Sequence, residues 1–334
     1  MEKNSIIHVI LTGGVGSRLW PLSRKSKPKQ YLDIFDGKSL FEMTLDRNST
    51  IADVVMVVGN IDNCHLSKAV LEKSNTEYID IIESTPRNTA AAIAFAAFAS
   101  QGEDILIVTP SDHIIGKMER YEEAMQEAIE KASKGFIVTF GIVPTKPETG
   151  YGYIERKGDN VISFREKPNQ VSARDYIAKS NFLWNSGMFC FKANVFLEEL
   201  KMYAPEVYEK SKLAWENNNN GNLDLELSLD IPAISIDYAV MERSKKIKVV
   251  SSHFEWSDLG SFESVYDYLI SIGHSVDENG NMVIGTTNYT AFIGLKDTIF
   301  VHTDNANLIL KKEFSQDVKS VYNALEREES DLLN

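Results

Sequence analysis

The sequence predicts an α/β protein in which helices cover both faces of a mostly parallel sheet, followed by a smaller β-rich region that ends in a helix. Apolar segments that suit buried strands alternate with amphipathic or alanine-rich segments through the first half of the chain. A glycine turn ends the first strand, and from residue 279 the apolar segments become short. The alternating order is typical of a parallel sheet, whose ligands bind at the carboxyl ends of its strands.

The elements of the first half follow from hydrophobic periodicity. Strands are predicted at residues 6–11, 53–58, 78–82, 105–109 and 136–140, and helices at residues 40–47, 65–73, 88–100 and 119–133. The helix at 88–100 is so rich in alanine that we expect it to be buried on all sides. The helix at 119–133 has an apolar face and an acidic face, which is typical of a helix that packs on a sheet.

The second half has a different pattern. A hairpin is predicted at residues 151–155 and 161–167, strands at 182–191 and 247–251, helices at 195–202, 205–216, 235–243 and 259–270, and a surface loop at 217–222. Beyond residue 279 we expect strands at 281–284, 291–293, 298–301 and 306–310, and a helix at 314–326 with Phe314, Val318, Val321 and Leu325 on one stripe. We therefore divide the chain into a catalytic domain, residues 1–272, and a C-terminal region, residues 273–334.

The composition limits the classes of partner. The chain has 334 residues, of which 43% are hydrophobic and 25% charged, as in an ordinary globular protein. A net charge of −13 argues against binding nucleic acid or an anionic membrane, because those partners require a broad positive surface. The only cysteines are Cys64 and Cys190, and no signal peptide or long apolar segment is evident. We therefore expect a cytoplasmic protein.

The stretch from residue 10 to residue 32, ILTGGVGSRLWPLSRKSKPKQYL, predicts a phosphate site. Gly13, Gly14 and Gly16 permit positive φ, so successive backbone N–H groups can close on an anion. Several cations follow, among them Arg18 and Lys29. The stretch fits neither the dinucleotide fingerprint nor the Walker A loop, because each requires a glycine that is missing here. A small anion such as a polyphosphate therefore fits this basic segment of an acidic chain.

Two aspartates are candidates for a metal that accompanies the phosphates. Asp112 follows an apolar strand in PSDH, and Asp258 lies in WSDLGS. Magnesium in proteins is typically bound by one or two carboxylates together with phosphate oxygens and water. His113 is adjacent, but magnesium disfavours imidazole, so we expect it to form a structural hydrogen bond. Lys167 ends a strand before a proline, which would direct its ammonium group toward the same rim.

Eight motifs in order identify a resemblance to a known family. They are GGVGSRLWPLSR with PKQYL, E-x-x-x-RNTA, PSDH, FGIVPTKPETGYGYI, FREKP, WNSGMF, SIDYAVMER and WSDLGS. Together they resemble the bacterial mannose-1-phosphate guanylyltransferases, also called GDP-mannose pyrophosphorylases, which are sugar-phosphate nucleotidyltransferases. This resemblance implies a Rossmann-like, GT-A-like fold with a short β-helix-like C-terminal appendage.

The resemblance also implies roles for residues at matching positions. The nucleotide would contact Leu11, Gly13, Gly14, Gly16, Ser17, Arg18, Lys29, Arg87, Asn88, Ser111 and Asp112. The sugar-phosphate side would consist of Gly152, Glu166, Lys167, Asn185 and Asp258. Catalysis would depend on the positive charges of Arg18, Lys29 and Lys167. Asp112 and Asp258 would bind Mg²⁺, for which Mn²⁺ is a substitute.

The activity that the resemblance implies is transfer of GMP from GTP to α-D-mannose 1-phosphate, which gives GDP-mannose and pyrophosphate for polysaccharide biosynthesis. The sugar phosphate would attack the α-phosphorus directly, with no covalent intermediate on the enzyme. Two alternatives stay open: a nucleotidyltransferase for another sugar 1-phosphate, such as a heptose 1-phosphate, and a non-catalytic homologue that binds nucleotide sugars. A homodimer also stays open, whereas nucleic-acid and membrane partners are not expected.

Overall fold

The structure is a computed structural model that describes residues 4–33, 37–74 and 76–334. Contacts between Cα atoms divide the chain into two units. Unit 1 comprises Met1–Gly13, Leu45–Pro110 and Ile115–Trp256, and unit 2 comprises Gly14–Thr44, Ser111–Ile114 and Ser257–Asn334. Unit 2 therefore combines the predicted C-terminal region with the glycine turn and with Asp112. The division at residues 272 and 273 stays a prediction.

The secondary structure follows the predicted order, with four further strands or α-helices that were not predicted, at residues 114–116, 170–178, 225–229 and 255–257. In chain order the strands are β1 (Ile6–Leu11), β2 (Val54–Asn60), β3 (Tyr78–Glu83), β4 (Ile105–Pro110), β5 (Ile114–Gly116), β6 (Ile137–Ile142), β7 (Tyr153–Lys157), β8 (Asn160–Arg165), β9 (Phe182–Lys192), β10 (Ile247–Ser252), β11 (Glu255–Ser257), β12 (Met282–Ile284), β13 (Thr298–Thr303) and β14 (Ala306–Lys311). The α-helices are α1 (Leu40–Asn48), α2 (Cys64–Ser74), α3 (Asn88–Phe98), α4 (Met118–Ser133), α5 (Gln170–Ala178), α6 (Ala193–Tyr203), α7 (Pro205–Glu216), α8 (Leu225–Leu229), α9 (Phe262–Ser271) and α10 (Val318–Arg327).

Unit 1 is built on a nine-stranded mixed sheet with the order β3-β2-β1-β4-β9-β6-β10-β8-β7 among the described residues. The strands β3, β2, β1 and β4 are parallel, and β6 is parallel to β10. The strand β9 runs antiparallel between β4 and β6, and β7 and β8 form the predicted hairpin. β1 and β4 end side by side, with Leu11 opposite Pro110. The α/β fold class with a mixed sheet is thus confirmed.

The helices of unit 1 bury the faces that the sequence predicts. Every residue of α3 from Ala90 to Ala97 is buried, which agrees with its alanine-rich, uniformly apolar sequence. In α4, Tyr121, Met125 and Ala128 are buried while the acidic face is exposed. No helix in the described ranges is both long enough and apolar enough to cross a bilayer.

Unit 2 has its own apolar core, which joins distant parts of the chain. Leu19 and Trp20 from the glycine-turn segment pack with Phe262 of α9, Val301 of β13 and Val318 of α10. The strands β12 and β13 are parallel, and β14 pairs antiparallel with β13. This small sheet and α10 are the predicted β-rich appendage and terminal helix.

Three predictions about local structure need correction. Residues 291–293 form no strand, and the Ile293 side chain is 92% exposed, because no neighbouring strand is there to pair with it. Residues 235–243 contain a short π-helix, Asp237–Met241, instead of an α-helix. The terminal α-helix begins at Val318, after a 3₁₀ segment at Lys312–Asp317. Its buried face is formed by Val318 and Tyr322, whereas Phe314 and Val321 from the predicted stripe are 53% and 38% exposed.

Candidate active site

The glycine turn is a tightly bonded loop in unit 2. Gly14 and Gly16 have φ values of 94° and 78°, a left-handed region that favours glycine. A 3₁₀ helix, Ser17–Leu19, follows at once, and the Leu19 N–H donates to the Gly16 carbonyl oxygen over 2.8 Å. The Ser23 hydroxyl donates to the same oxygen over 2.6 Å. These bonds hold the turn in one conformation and leave Arg18 on the 3₁₀ helix at its rim.

The segment after the turn is anchored by the C-terminal part of unit 2. The Trp20 indole N–H and an Arg24 guanidinium N–H both donate to the Leu332 carbonyl oxygen, each over 3.0 Å. A second Arg24 nitrogen donates to Asn305 Oδ1 over 2.5 Å and to the Thr303 hydroxyl over 3.2 Å. Arg24, one of the cations that follow the glycines, therefore serves to hold the loop in place.

Lys29 connects the two predicted metal ligands. Its ammonium nitrogen lies 2.7 Å from Asp112 Oδ2 and donates to the main-chain oxygen of Asp258 over 2.5 Å. The Lys29 side chain is only 6% exposed, whereas that of Asp112 is 26% exposed. Burial alone would raise the pKa of Asp112, but the nearby charges of Lys29 and His113 hold it below its usual range. Asp112 is therefore ionised at neutral pH.

One pocket of about 490 Å³ joins these groups within unit 2. Its lining includes Gly14, Gly16, Ser17, Arg18, Lys29, Asp112 and Asp258, all predicted from the sequence. Two further lining residues, Lys319 and Tyr322, come from α10. The volume lies in the range of about 300–1,000 Å³ that is usual for ligand sites. The geometry therefore places glycine-turn donors, cations and two carboxylates around one space.

The donor set at this pocket fits a hard divalent cation that arrives with phosphates. In the part of the chain that the structure describes, no group of three or more His, Cys, Asp or Glu side chains could hold a metal alone. Asp112 and Asp258 offer carboxylates at the same pocket, and Asp258 Oδ1 accepts the Gly260 N–H over 3.0 Å. Two carboxylates suit a cation whose other ligands are phosphate oxygens and water.

A second cluster, in unit 1, contains four of the five residues predicted for the sugar-phosphate side. The fifth, Asp258, lines the pocket of unit 2 instead. The Asn185 N–H donates to the Gly152 carbonyl oxygen over 2.8 Å, so β9 lies against the loop that precedes β7. A Cβ added to Gly152 would lie 2.6 Å from Glu166 Oε2, so the Glu166 side chain would have to shift to admit a larger residue there. Lys167 has a positive φ of 41°, and its ammonium nitrogen lies 2.9 Å from Glu166 Oε1.

The Asn185 side chain in this cluster has a defined orientation. Its oxygen accepts the Gly187 N–H and the Thr139 hydroxyl, each over 3.2 Å. Because a backbone N–H can only donate, the atom facing it is the amide oxygen. The amide nitrogen then donates to Asp237 Oδ1 over 2.8 Å.

Asp237 is a candidate site residue that the sequence analysis did not single out, and it contacts Asn185. Loss of hydration and the neighbouring carboxylate of Glu166 raise the pKa of Asp237 to about 6. It begins the short π-helix, and it is partly buried. The available signal was the first of the two acidic residues in the motif SIDYAVMER, which the helical pattern alone did not distinguish from a surface residue.

Arg87 and Asn88, two predicted nucleotide contacts in unit 1, lie at the start of α3. The Arg87 side-chain Nε donates to the Ile231 carbonyl oxygen over 2.6 Å, and Asn88 has a positive φ of 68°. The Arg87 backbone N–H donates to Glu83 Oε1 over 3.4 Å. Burial raises the pKa of Glu83 to about 7. Leu11 ends β1, and Ser111, which belongs to unit 2, is only 1% exposed.

Comparison with known proteins identifies the class to which this fold and site belong. The family model for nucleotidyl transferases matches residues 7–273, and residues 274–325 match the MannoseP isomerase/GMP-like β-helix domain. Members of the nucleotidyl transferase family generally use a divalent metal. Because the first match covers most of the chain, the protein belongs to the nucleotidyl transferase family.

Individual relatives show which members of this family the chain resembles. The chain is 37% identical to the alginate biosynthesis protein AlgA of Pseudomonas aeruginosa, over 96% of this chain and 72% of that protein. It is 36% identical to a mannose-1-phosphate guanylyltransferase of Klebsiella pneumoniae, over 96% and 74% of the two chains. A Thermus thermophilus crystal structure, described as a mannose-1-phosphate geranyltransferase, superposes with a TM-score of 0.83 at 29% identity and covers 96% and 99% of the chains. The resemblance to the bacterial mannose-1-phosphate guanylyltransferases is thus confirmed.

Proposed function

We propose that this protein transfers GMP from GTP to α-D-mannose 1-phosphate and releases GDP-mannose and pyrophosphate. The observation that carries the proposal is the pocket in which the glycine turn, Arg18 and Lys29 surround a space shared with Asp112 and Asp258. The names of the relatives supply the identity of the nucleotide and of the sugar.

The proposed mechanism is direct displacement at the α-phosphorus. An oxygen of the sugar phosphate attacks that phosphorus, and the bond to the bridging oxygen breaks so that pyrophosphate leaves with the bond electrons. The attacking oxygen is already ionised, so no general base is required. Because two anions must approach each other, catalysis consists mainly of positioning and charge neutralisation.

In this mechanism the residues of the phosphate pocket have separate roles. The backbone N–H groups of Gly14, Gly16 and Ser17 bind phosphate oxygens. Arg18 stabilises the charge that develops at the α-phosphorus, and Lys29 holds Asp112 and adds positive charge beside the nucleotide. Asp112 and Asp258 would hold Mg²⁺, or Mn²⁺ in its place, which would neutralise phosphate charge. Leu11, Gly13, Arg87, Asn88 and Ser111 complete the proposed nucleotide side.

The cluster of unit 1 is proposed to bind the sugar phosphate. Lys167 would pair with the phosphate, and Glu166 would accept hydroxyl groups of the sugar. Asn185, held by Thr139, Gly187 and Asp237, presents a fixed amide beside Gly152. Carboxylates next to an amide suit a ligand with several hydroxyl donors. The cytoplasmic location and the homodimer stay predictions.

The test is a matrix of nucleoside triphosphates against sugar 1-phosphates, with pyrophosphate release as the measurement. We expect the highest kcat/KM for GTP with mannose 1-phosphate, and loss of activity in excess chelator that Mg²⁺ or Mn²⁺ restores. A preference for a heptose 1-phosphate would show that this compound, and not mannose 1-phosphate, is the sugar substrate. Binding of GDP-mannose without turnover of any pair would favour the non-catalytic alternative.

A matched pair of variants tests the metal assignment. Asp258→Asn removes one proposed ligand, whereas Asp304→Asn changes an exposed aspartate of the same unit that lies outside the pocket. We expect the first to raise the Mg²⁺ concentration needed for half-maximal activity and the second to leave it unchanged. Equal metal dependence in both variants would refute a ligand role for Asp258.

A further inference from the structure

The terminal helix α10 forms part of the wall of the phosphate pocket. Val318 and Tyr322 are 3% and 5% exposed and belong to the same apolar core as Leu19 and Trp20. This packing fixes α10 against the segment that carries Arg18. Lys319, which follows Val318, lines the pocket together with Arg18, Lys29 and both aspartates.

Within the described residues, the Lys319 ammonium group forms no ion pair and no hydrogen bond. Two other lysines of unit 2 form ion pairs: Lys25 with Glu326 at 3.4 Å, and Lys312 with Asp267 at 2.7 Å. In the pocket itself, Lys29 forms an ion pair with Asp112 at 2.7 Å. Lys319 is exposed at the pocket, in a chain with a net charge of −13. An unpaired cation in such a setting favours binding of an anion.

We propose that Lys319 binds the outer phosphates of GTP, and so the pyrophosphate that leaves, which makes α10 part of the active site. This inference rests on the proposed function for the identity of the nucleotide. Lys29 contacts both Asp112 and Asp258, the two residues that would hold the metal. Lys319 contacts neither in the described residues, so its charge is available to the phosphates that lie away from the reacting bond.

Lys319→Gln removes this charge, and Arg327→Gln is the matched control. Arg327 is exposed on the same helix outside the pocket, and its Nε donates to the Asn323 carbonyl oxygen over 3.2 Å. Calorimetry would measure binding of GTP and of inorganic pyrophosphate, each with Mg²⁺ and without sugar phosphate. We expect Lys319→Gln to weaken both by about tenfold, the effect of losing one partly exposed charge-assisted contact. Lys319→Arg should retain most of the affinity, and Arg327→Gln should match the wild type.

Steady-state kinetics then separate a phosphate-binding role from a structural one. We expect Lys319→Gln to raise the KM for GTP, and for pyrophosphate in the reverse reaction, while the KM for the sugar phosphate changes less than about twofold. Pyrophosphate binding that is the same in Lys319→Gln and Arg327→Gln would overturn the proposal. Equal loss in Lys319→Arg and Lys319→Gln would overturn it as well, because the charge would then not be the cause.

The two proposals can fail separately. Weaker pyrophosphate binding by Lys319→Gln supports the role of Lys319 even if the wild type accepts a sugar other than mannose. Turnover of GTP and mannose 1-phosphate with unchanged pyrophosphate binding would support the proposed function and refute the role of Lys319.

Discussion

Gly16 and Lys29 lie so close together that a Cβ on residue 16 would stand 2.6 Å from the Cβ of Lys29. The Lys29 N–H also donates to the Val15 carbonyl oxygen over 3.1 Å, so the glycine turn rests directly on the lysine segment. Lys29 in turn contacts Asp112 and Asp258. The position of the turn therefore determines the position of the charges around the phosphate pocket.

Gly16→Ala should damage both stability and GTP binding. Alanine at a φ of 78° is strained, and the new methyl group would displace Lys29. Gly14→Ala is the control, because its φ of 94° gives similar strain but nothing lies within 4 Å of an added Cβ. We expect a loss of about 1–2 kcal/mol for Gly14→Ala from backbone strain, and about 1–3 kcal/mol more for Gly16→Ala from the clash. Urea unfolding and the KM for GTP measure the difference, and equal losses would contradict the Lys29 contact.

Arg18→Ala should act on the transition state more than on GTP binding. Backbone N–H donors and Lys29 already bind GTP in the ground state, whereas Arg18 can stabilise the charge that develops at the α-phosphorus in the transition state. We expect kcat to fall by roughly 10²–10³, as for a lost oxyanion donor. Arg18→Lys should recover little of the lost kcat, because lysine lacks the planar guanidinium group that can bridge two phosphate oxygens. Calorimetry gives GTP affinity separately; a tenfold weaker affinity with normal kcat would make Arg18 a ground-state contact.

Asp237→Ala should impair use of the sugar phosphate. It leaves the Asn185 amide nitrogen without the acceptor that it has at 2.8 Å, so Asn185 loses one of its restraints. We expect the KM for the sugar phosphate to rise by about tenfold, in line with about 1.5 kcal/mol for a charge-assisted hydrogen bond. The KM for GTP should change little. Asp237→Asn can keep an acceptor and should have a smaller effect, and Asp175→Ala, an exposed aspartate on α5, is the control. Equal changes in the two KM values would argue against this role.

Glu83→Gln should change how stability depends on pH. The folded-state pKa of Glu83 is about 7, above its value in the unfolded chain, so the folded protein retains a proton that the unfolded chain has lost. Between about pH 4.5 and pH 7 the free energy of unfolding therefore falls as pH rises. Glutamine keeps the acceptor for the Arg87 N–H but does not titrate. We expect the wild type to lose up to about 3 kcal/mol relative to the variant from pH 5 to pH 8, measured by urea unfolding. A difference that is constant with pH would disprove the shifted pKa.

The strongest sequence signals predicted the fold because they were local and repeated. The strand at Ile6–Leu11 and the helix at Pro205–Glu216 have the predicted limits. Residues 291–293 have strand-like composition, but a strand needs a partner, and pairing is a property of the whole chain. The start of the terminal helix was missed for a related reason: the 3₁₀ segment at Lys312–Asp317 has a different periodicity, which turned Tyr322 inward instead of Val321.

The sequence predicted only part of the candidate site, because some of its residues belong to a recognisable motif and others do not. Gly16, Arg18 and Lys29 lie within one short motif, so the sequence alone indicated that they act together. Asp237 becomes recognisable only through its hydrogen bond to Asn185, 52 positions earlier. Lys319 is an ordinary lysine on a helix until the pocket brings it beside the glycine turn. Such pairings depend on tertiary structure, which periodicity does not encode.

The anchoring of Trp20 and Arg24 by Leu332 and Asn305 has a consequence for synthesis of the protein on the ribosome. The segment after the glycine turn is made long before its partners: Leu332 lies 312 positions after Trp20, and Asn305 lies 281 positions after Arg24. Domains generally begin to fold while the chain is still emerging. The phosphate pocket therefore takes its final form only after residues 305 to 332 have left the exit tunnel, so a nascent chain that lacks α10 and residue 332 cannot yet hold nucleotide in this geometry.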